Sequence, residues 1–254
     1  MKQISTTLFI LTVLLSCQKK ETQKEDLSLD LKKGYEQTLI YTTSTDGNKN
    51  GEMNDATEVK YKVDSVDQYK NYYITGEVLR MTFSQNMFGE TIYYDSRDQS
   101  NSDLGLGAEI KPVINNPFTF KIDKHGKILE KHKFKTEISK DLDPSQYTLI
   151  PLSFPEESIE VGFMWKGRAI NTLTKFLPVT TDYTYRGVKD GKIEVSVLSR
   201  MSGMPDVLKD TEINGKYLFD SKTKTLISAE RKMPVQSGGG AVTFEIIQKM
   251  EGFN

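Results

Sequence analysis

The dominant pattern of this chain is an alternation of apolar and polar side chains with a period of two. It is clearest in residues 58–63 (EVKYKV), 182–185 (DYTY), 192–197 (KIEVSV) and 242–246 (VTFEI), and in residues 117–122 (PFTFKI). Successive side chains of a strand point to opposite faces, so each segment presents one apolar and one polar face. The alternation predicts antiparallel sheet, because parallel strands are usually covered on both faces and are apolar throughout.

Turn sequences separate these segments. They are Asp46–Gly47, residues 123–126 (DKHG), residues 189–191 (KDG) and Asn214–Gly215. A long helical period of 3.6 is missing from the sequence, and the best helix candidates are short stretches near residues 103–115 and 135–142. The pattern predicts a mainly β protein with few short helices.

The strand pattern also repeats along the chain. Hairpins at residues 61–83 and 183–201 are each followed by a similar strand, at 90–96 and 215–221, and then by lysine-bearing hairpins at 121–130 and 222–230. Equivalent segments are about 120 residues apart, which indicates two related halves. We therefore predict two pseudo-repeated, curved antiparallel sheets of half-barrel shape. The pattern leaves open whether the two halves form one domain or two.

The predicted boundaries follow from this repeat. The N-terminal β half covers residues 31–133 and the C-terminal β half covers residues 159–254. The connector, residues 134–158, contains Pro144, Pro151 and Pro155, which interrupt strand pairing.

The N-terminus has the features of an export signal. Lys2 precedes a short apolar run, residues 8–15 (LFILTVLL), which is too short to span a bilayer as a helix. Residues 14–17 (LLSC) resemble the lipobox of bacterial lipoproteins, in which a peptidase cuts before the cysteine and the cysteine carries diacylglycerol. The resemblance implies a signal peptide over residues 1–16 and lipid attachment, including palmitate-type acyl chains, at Cys17.

The residues after Cys17 are almost wholly polar, and we expect residues 17–30 to form a flexible lipidated tether. Cys17 is the only cysteine, so the chain has no internal disulfide. The expected location is the bacterial cell envelope, lipid-anchored at the outer membrane. Gln18–Lys19 resembles surface-export signals, and the periplasmic and surface-exposed sides both stay open.

Two longer segments carry a family resemblance. Residues 118–130 (FTFKIDKHGKILE) and 154–165 (FPEESIEVGFMW) resemble recurring segments of Bacteroidetes lipoproteins in a family known only as a domain of unknown function. The predicted sheets also resemble, less specifically, those of half-barrel lipoprotein carriers. The resemblance implies a β fold and an envelope location, and it supplies no catalytic residue.

Composition narrows the range of functions. Lys and Arg number 34 against 35 Asp and Glu, so the near-neutral chain lacks the basic excess typical of nucleic-acid binding. His125, in a predicted turn, and His132, on the next strand, are the only histidines, and we expect both at the surface without a metal. The carboxylate pairs Asp64/Asp67 and Glu156/Glu157 are expected to be solvated.

Two short serine- and glycine-containing stretches do not match catalytic motifs. Ser202–Gly203 lacks the Gly-x-Ser-x-Gly frame of a nucleophile elbow. Residues 238–240 (GGG) precede a strand and lack the Lys-Ser/Thr of a phosphate-binding loop, so a hairpin loop is expected there. We predict no catalytic residue and no cofactor.

Aromatic side chains are the remaining candidates for a site. They are Trp165, Tyr183, Tyr185, Tyr217, Phe219 and Phe244. They form either the core of the sheet or the lining of an apolar cavity inside a half-barrel, and the sequence does not separate the two. For Trp165 we predict burial.

The sequence favours a membrane-anchored envelope lipoprotein that is not an enzyme and acts as a binding module for a hydrophobic ligand or an envelope partner. One alternative is a structural or interaction lipoprotein with a filled core and no small-molecule ligand. A hydrolase with an unrecognised site is the other.

Overall fold

The computed structural model describes residues 24–46, 52–87, 89–98, 106–139, 147–167, 179–203, 210–236 and 243–253. Within them the chain forms twelve strands and one helix. The elements are β1 (Glu36–Asp46), β2 (Met53–Val66), β3 (Tyr72–Met87), β4 (Glu90–Asp95), α1 (Leu106–Ile110), β5 (Phe118–Ile122), β6 (Ile128–Phe134), β7 (Met164–Gly167), β8 (Val179–Lys189), β9 (Lys192–Met201), β10 (Thr211–Asp220), β11 (Leu226–Gln236) and β12 (Thr243–Phe253).

All twelve strands belong to one open, curved, antiparallel sheet. The order is β6-β5-β3-β2-β1-β12-β11-β10-β9-β8-β7, with β4 paired to β3 beside β5. The prediction of a curved, antiparallel, mainly β fold is confirmed. The predicted halves are not separate sheets, because β1 pairs with β12 from Thr38↔Phe253 to Asp46↔Glu245 and joins them edge to edge.

A side-chain hydrogen bond reinforces this junction. Gln37 on β1 donates from Nε2 to the carbonyl of Leu226 at 2.7 Å, reaching across β12 at Gly252. A β-carbon at position 252 would lie 2.6 Å from that Nε2, so only glycine leaves room for the bond. Gln37 is 3% exposed, which makes the bond's loss costly.

The inner face of the sheet carries the main core. Its inward side chains include Leu39, Val59, Val195, Tyr217 and Phe219, all of them fully buried. We call the end of the sheet where β1 begins and β12 ends the packed end. There the inner face is covered by two non-strand segments of the chain, residues 24–35 and 147–163.

The first covering segment corrects the predicted tether. Leu27 and Leu29 are fully buried and Leu31 is 5% exposed, so the described part of that stretch, from residue 24, is packed into the core. Leu29 N donates to Lys124 O at 2.7 Å, and Asp30 N donates to Thr223 O at 3.3 Å. The segment therefore joins the β5–β6 turn to the β10–β11 turn. The period-two leucines are part of the same buried cluster as the inward side chains of the sheet.

The second covering segment, residues 147–163, overlaps the predicted connector, residues 134–158. Its buried side chains are Tyr147, Leu149, Ile150, Leu152, Phe154 and Ile159. The Tyr41 hydroxyl donates to Thr148 O at 2.8 Å and lies 2.9 Å from the Tyr61 hydroxyl, which fixes the segment to β1 and β2. Residues 25 and 159 form a β-bridge, so the two covering segments also contact each other.

Two local predictions differ from the structure. Asn214–Gly215 lies inside β10 instead of in a turn. Residues 135–139 are not helical, whereas α1 falls within the first helix candidate. Predicted turns at residues 123–126 and 190–191 do connect β5 to β6 and β8 to β9.

Both histidines are buried, against the prediction of surface positions. His125 is 6% exposed and His132 is 9% exposed. The turn that holds His125 is covered by the second segment, whose Phe154 N donates to His125 O at 2.8 Å. His132 packs on Phe120 with ring centroids 4.3 Å apart. The second segment therefore covers His125, and a ring on the neighbouring strand β5 covers His132.

Candidate functional site

A row of polar side chains crosses the inner face midway along the strands, and we call it the polar belt. Its members are Asp55 (β2), Thr43 (β1), Gln248 (β12), Arg231 (β11), Ser199 (β9) and Thr181 (β8). Register places them side by side through the pairs Asp55↔Thr43, Thr43↔Gln248, Gln248↔Arg231 and Ser199↔Thr181. The belt therefore separates the core at the packed end from the opposite end of the inner face.

The Arg231 side chain extends from β11 across β10 toward Ser199 on β9. Gly215 lies opposite it, and a β-carbon there would sit 2.8 Å from Arg231 Cγ, so the glycine makes room for the arginine stem. The guanidinium is 2% exposed and donates to Ser199 Oγ at 3.5 Å. Ser199 Oγ is in turn 2.9 Å from Thr181 Oγ1. A buried cation is thus held by hydroxyl groups on the sheet's inner face.

Two acidic groups in or near the polar belt have raised pKa values. Burial raises the pKa of the Tyr217 hydroxyl, and the nearby Arg231 guanidinium partly offsets that rise. Burial also raises the pKa of Asp55 to about 6, against a smaller opposing effect of its hydrogen bond with Thr43. Asp55 therefore changes charge close to neutral pH.

Replacement of Asp55 by Asn is expected to stabilise the protein at pH 7.5 and much less at pH 4.5. A carboxyl whose folded-state pKa exceeds its unfolded value of 3.8 favours the folded state at low pH, and this contribution is lost as pH rises through about 6. The gain at pH 7.5 is at most about 3 kcal/mol. Urea unfolding of both proteins at the two pH values measures it, and an equal difference at both would contradict the assignment.

Beyond the belt lies a second apolar group, which we call the distal cluster. Met201, Ile213, Met233 and Ile246 are at most 9% exposed, and Val179 and Val235 pack against them half-buried. The six residues come from the five adjacent strands β8–β12. This cluster is distinct from the main core. Two of its side chains are methionines, which adapt their packing readily.

The aromatic residues proposed from the sequence do not all lie in one place. Tyr183, Tyr185, Tyr217 and Phe219 are at most 2% exposed and belong to the main core. Trp165 is half-buried on β7, stacks on Tyr183 at 5.5 Å and donates from Nε1 to Ser153 O at 3.0 Å. Phe244 pairs with Val235 in the sheet, and its side chain lies outside the described part of the structure.

Other candidates lie apart from the belt. Asp64 accepts a hydrogen bond from Thr75, Asp67 accepts hydrogen bonds at the β2–β3 turn, and Glu156 and Glu157 are exposed. Among the described residues, no group of three or more His, Cys, Asp and Glu side chains is placed to hold a metal ion. Cys17 and residues 238–240 lie outside the described residues, and Ser202–Gly203 follows β9.

No helix in the described part of the chain is long and apolar enough to cross a membrane.

Comparison with known proteins gives a family likeness and a fold likeness. Residues 69–142, from the end of the β2–β3 turn through β6, match the model of a family of unknown function, DUF6263. The first of the two family-like segments, residues 118–130, lies within this match. No curated protein matches the chain in sequence.

Among solved structures, the chain is similar to one described as "Lipid-protein interactions in lipovitellin". The identity is 11%, the TM-score is 0.50, and the match covers 89% of this chain and 26% of the other. The chain thus spans about a quarter of the length of that lipovitellin chain. At this identity the likeness concerns the fold.

Sequence reasoning did not find the polar belt. Its residues occupy inward positions of strands whose other inward positions are apolar, as in residues 193–201 (IEVSVLSRM), where Ser199 follows Ile193, Val195 and Val197 on the inner face. One signal in the sequence was a polar residue, Ser199, at a position where the alternation places an apolar one. A second signal was Gly215, a glycine within a strand.

Proposed function

We propose that this protein is a non-catalytic binding module for a hydrophobic ligand, which it holds on the inner face at the distal cluster. The observation that carries the proposal is the division of the inner face by the polar belt. The packed end is filled by the chain's own residues 24–35 and 147–163, so a ligand would have to bind beyond the belt.

The chemistry of the two zones suits an amphiphile. An acyl chain would pack on the methionine and aliphatic side chains of the distal cluster, while the polar belt would face its more polar end. The fold likeness to a structure described by its lipid–protein interactions supports a lipid as the ligand class, as an analogy of fold.

Non-catalytic binding is part of the proposal. An activated hydroxyl nucleophile needs a base within hydrogen-bond reach. In the described structure, the Ser199 and Thr181 hydroxyls bond to each other, and Ser199 also accepts from Arg231, a cation that cannot act as a base at neutral pH.

Ligand binding is expected to fail in Val235→Asp and to survive in Val188→Asp. Val235 borders the distal cluster, and a carboxylate there would meet the acyl chain, whereas Val188 is 46% exposed near the packed end. Binding of a fluorescent fatty-acid analogue to the chain beginning at Lys24, together with native mass spectrometry for co-purified lipid, measures the difference. Equal binding by both variants would place the ligand elsewhere.

A second candidate function is a structural or interaction lipoprotein without a small-molecule ligand. The filled packed end favours it, because there the half-barrel interior contains protein instead of a cavity. Under this function the fatty-acid analogue binds neither variant nor the unmodified chain. The same experiment thus separates the two candidates.

We further propose that Cys17 anchors the protein to the envelope membrane, as the lipobox-like sequence implies. The packed chain begins by residue 25, where Glu25 bridges to Ile159, and its side chain pairs with Lys224 at 2.7 Å. The seven residue steps from Cys17 to Lys24 reach at most about 25 Å. The packed end would therefore face the membrane, and the distal cluster would face away from it.

Replacement of Cys17 by Ala is expected to release the protein from membranes and to abolish lipid labelling. Cells given a clickable palmitate and then fractionated provide both measurements. Ser16→Ala, which keeps a small residue before the cysteine, is the matched control and should label normally. Equal labelling of Cys17→Ala and the control would refute the anchor.

A further inference from the structure

The outer face of the sheet has a groove of about 330 Å³ at the end opposite the packed end. Two cross-strand rows of small side chains form its floor. They are Thr42, Ala56 and Thr82 in one row, and Ser44, Asn54 and Ser84 in the other. Register aligns them through Thr42↔Ala56↔Thr82 and Ser44↔Asn54↔Ser84 on β1, β2 and β3. All six have the outward phase, opposite to that of Leu39 and Val59.

Larger side chains bound the groove on both sides. Lys249 on β12 lies opposite Thr42, and Tyr93 on β4 lies opposite Ser84. Both line the groove. A run of small side chains between long ones leaves a depression on a curved sheet, so the groove follows from the residue sizes on five neighbouring strands.

The floor offers hydrogen-bonding groups that have no partner among the described residues. The side chains of Thr42, Ser44, Asn54, Thr82 and Ser84 form no hydrogen bond with other residues in the described ranges. Four hydroxyls and one amide therefore present both donors and acceptors to a ligand. The Tyr93 ring, 55% exposed, adds a flat apolar surface beside them.

Charges at the edge of the groove are already paired. Lys249 Nζ lies 3.8 Å from Glu230 Oε2, and Arg80 on the neighbouring outward row donates to Asp95 Oδ1 at 3.1 Å. Asp95 is held so firmly that its pKa falls to about 2, chiefly through the hydrogen bond from Arg80. Asp55 also lines the groove and can carry a negative charge, so the groove favours an uncharged ligand over an anion.

We infer that this groove binds a neutral saccharide of one or two rings. The ligand's hydroxyls would pair with the hydroxyl and amide floor, while an apolar C–H face of a sugar ring would pack on Tyr93. The volume lies at the small end of ligand sites, which limits the size. The outward side chains of this site are on the opposite face from the distal cluster, and Thr43 and Asp55 of the polar belt also line it.

The test uses the full-length protein in a detergent without a sugar head group. Saturation-transfer NMR and titration are performed with maltose, cellobiose, lactose and N,N′-diacetylchitobiose. We expect at least one disaccharide to bind, with affinity lowered at least about tenfold by Tyr93→Ala and by the groove-filling Ala56→Arg. Tyr69→Ala, which removes a 73% exposed tyrosine at the β2–β3 turn, should bind as the unmodified protein does.

Two results would overturn the inference. One is the absence of binding by all four disaccharides. The other is binding that Tyr93→Ala and Ala56→Arg leave unchanged, which would place the sugar elsewhere. Thermal unfolding of each variant establishes that it is folded, and if Ala56→Arg does not fold, the comparison of Tyr93→Ala with Tyr69→Ala decides.

Discussion

A chain that begins at Lys32 is expected to lose most or all of its folding stability. The truncation removes Leu27, Leu29 and Leu31, which together cover the inner face at the packed end. Each buried leucine contributes about 2–5 kcal/mol, so the loss of about 6 kcal/mol or more is comparable with the whole stability of a domain. The hydrogen bond from the Tyr72 hydroxyl to Leu29 O, 2.7 Å, is lost as well. Urea unfolding followed by circular dichroism measures the effect.

The matched control is a chain that begins at Lys24. It retains the three leucines and the bridge between residues 25 and 159, so its unfolding midpoint should equal that of a chain beginning at Gln18. Leu29→Ala in the longer chain should cost about 2–5 kcal/mol alone. Equal midpoints for chains beginning at Lys24 and Lys32 would show that the segment is not part of the core.

Substitution of Phe118 by Ala is expected to destabilise the protein by about 3–5 kcal/mol. Phe118 is fully buried on β5, with the rings of Tyr61, Phe134 and Tyr147 within 6.4 Å of its own, centroid to centroid. Its ring also lies over Gly76, its partner on β3, so that a β-carbon at position 76 would overlap the ring. Gly76→Val should therefore also destabilise the protein strongly. Here the cause is overpacking, whereas Phe118→Ala leaves a cavity.

A double-mutant cycle tests the contact between these two residues. Phe118→Leu should reduce the cost of Gly76→Ala, because the smaller side chain frees space above position 76. Phe253→Ala serves as control, since Phe253 is 50% exposed and its loss should change stability little. Additive costs in the cycle, measured by urea unfolding, would mean that ring and glycine do not contact.

The strands were predictable because burial on one face imposes a period of two. On β9, Ile193, Val195 and Val197 are buried while the residues between them are more exposed. The prediction that His132 lies at the surface was wrong, because the alternation of a strand does not show which neighbouring side chains pack against a polar ring. His132 is buried against Phe118 and Phe120.

The candidate sites were not predictable to the same degree. Arg231 and Ser199 are 32 residues apart in sequence, and they come within hydrogen-bond distance because β11 and β9 both pair with β10. The outer groove likewise joins Thr42, Asn54 and Ser84 from three strands with Tyr93 from a fourth. Serine and threonine on an outward face look the same in sequence whether they form a groove or an ordinary solvated surface.

The sequence by itself determined the strand content, the antiparallel pairing and the positions of several turns, because these depend on local alternation and turn chemistry. The tertiary structure alone decided that the two halves share one sheet through β1 and β12, and that residues 24–35 and 147–163 fill the packed end. It also placed the polar belt and the outer groove. Such features depend on which strands become neighbours and on what space the curved sheet leaves to be filled, and these are properties of long-range contacts that local periodicity does not encode.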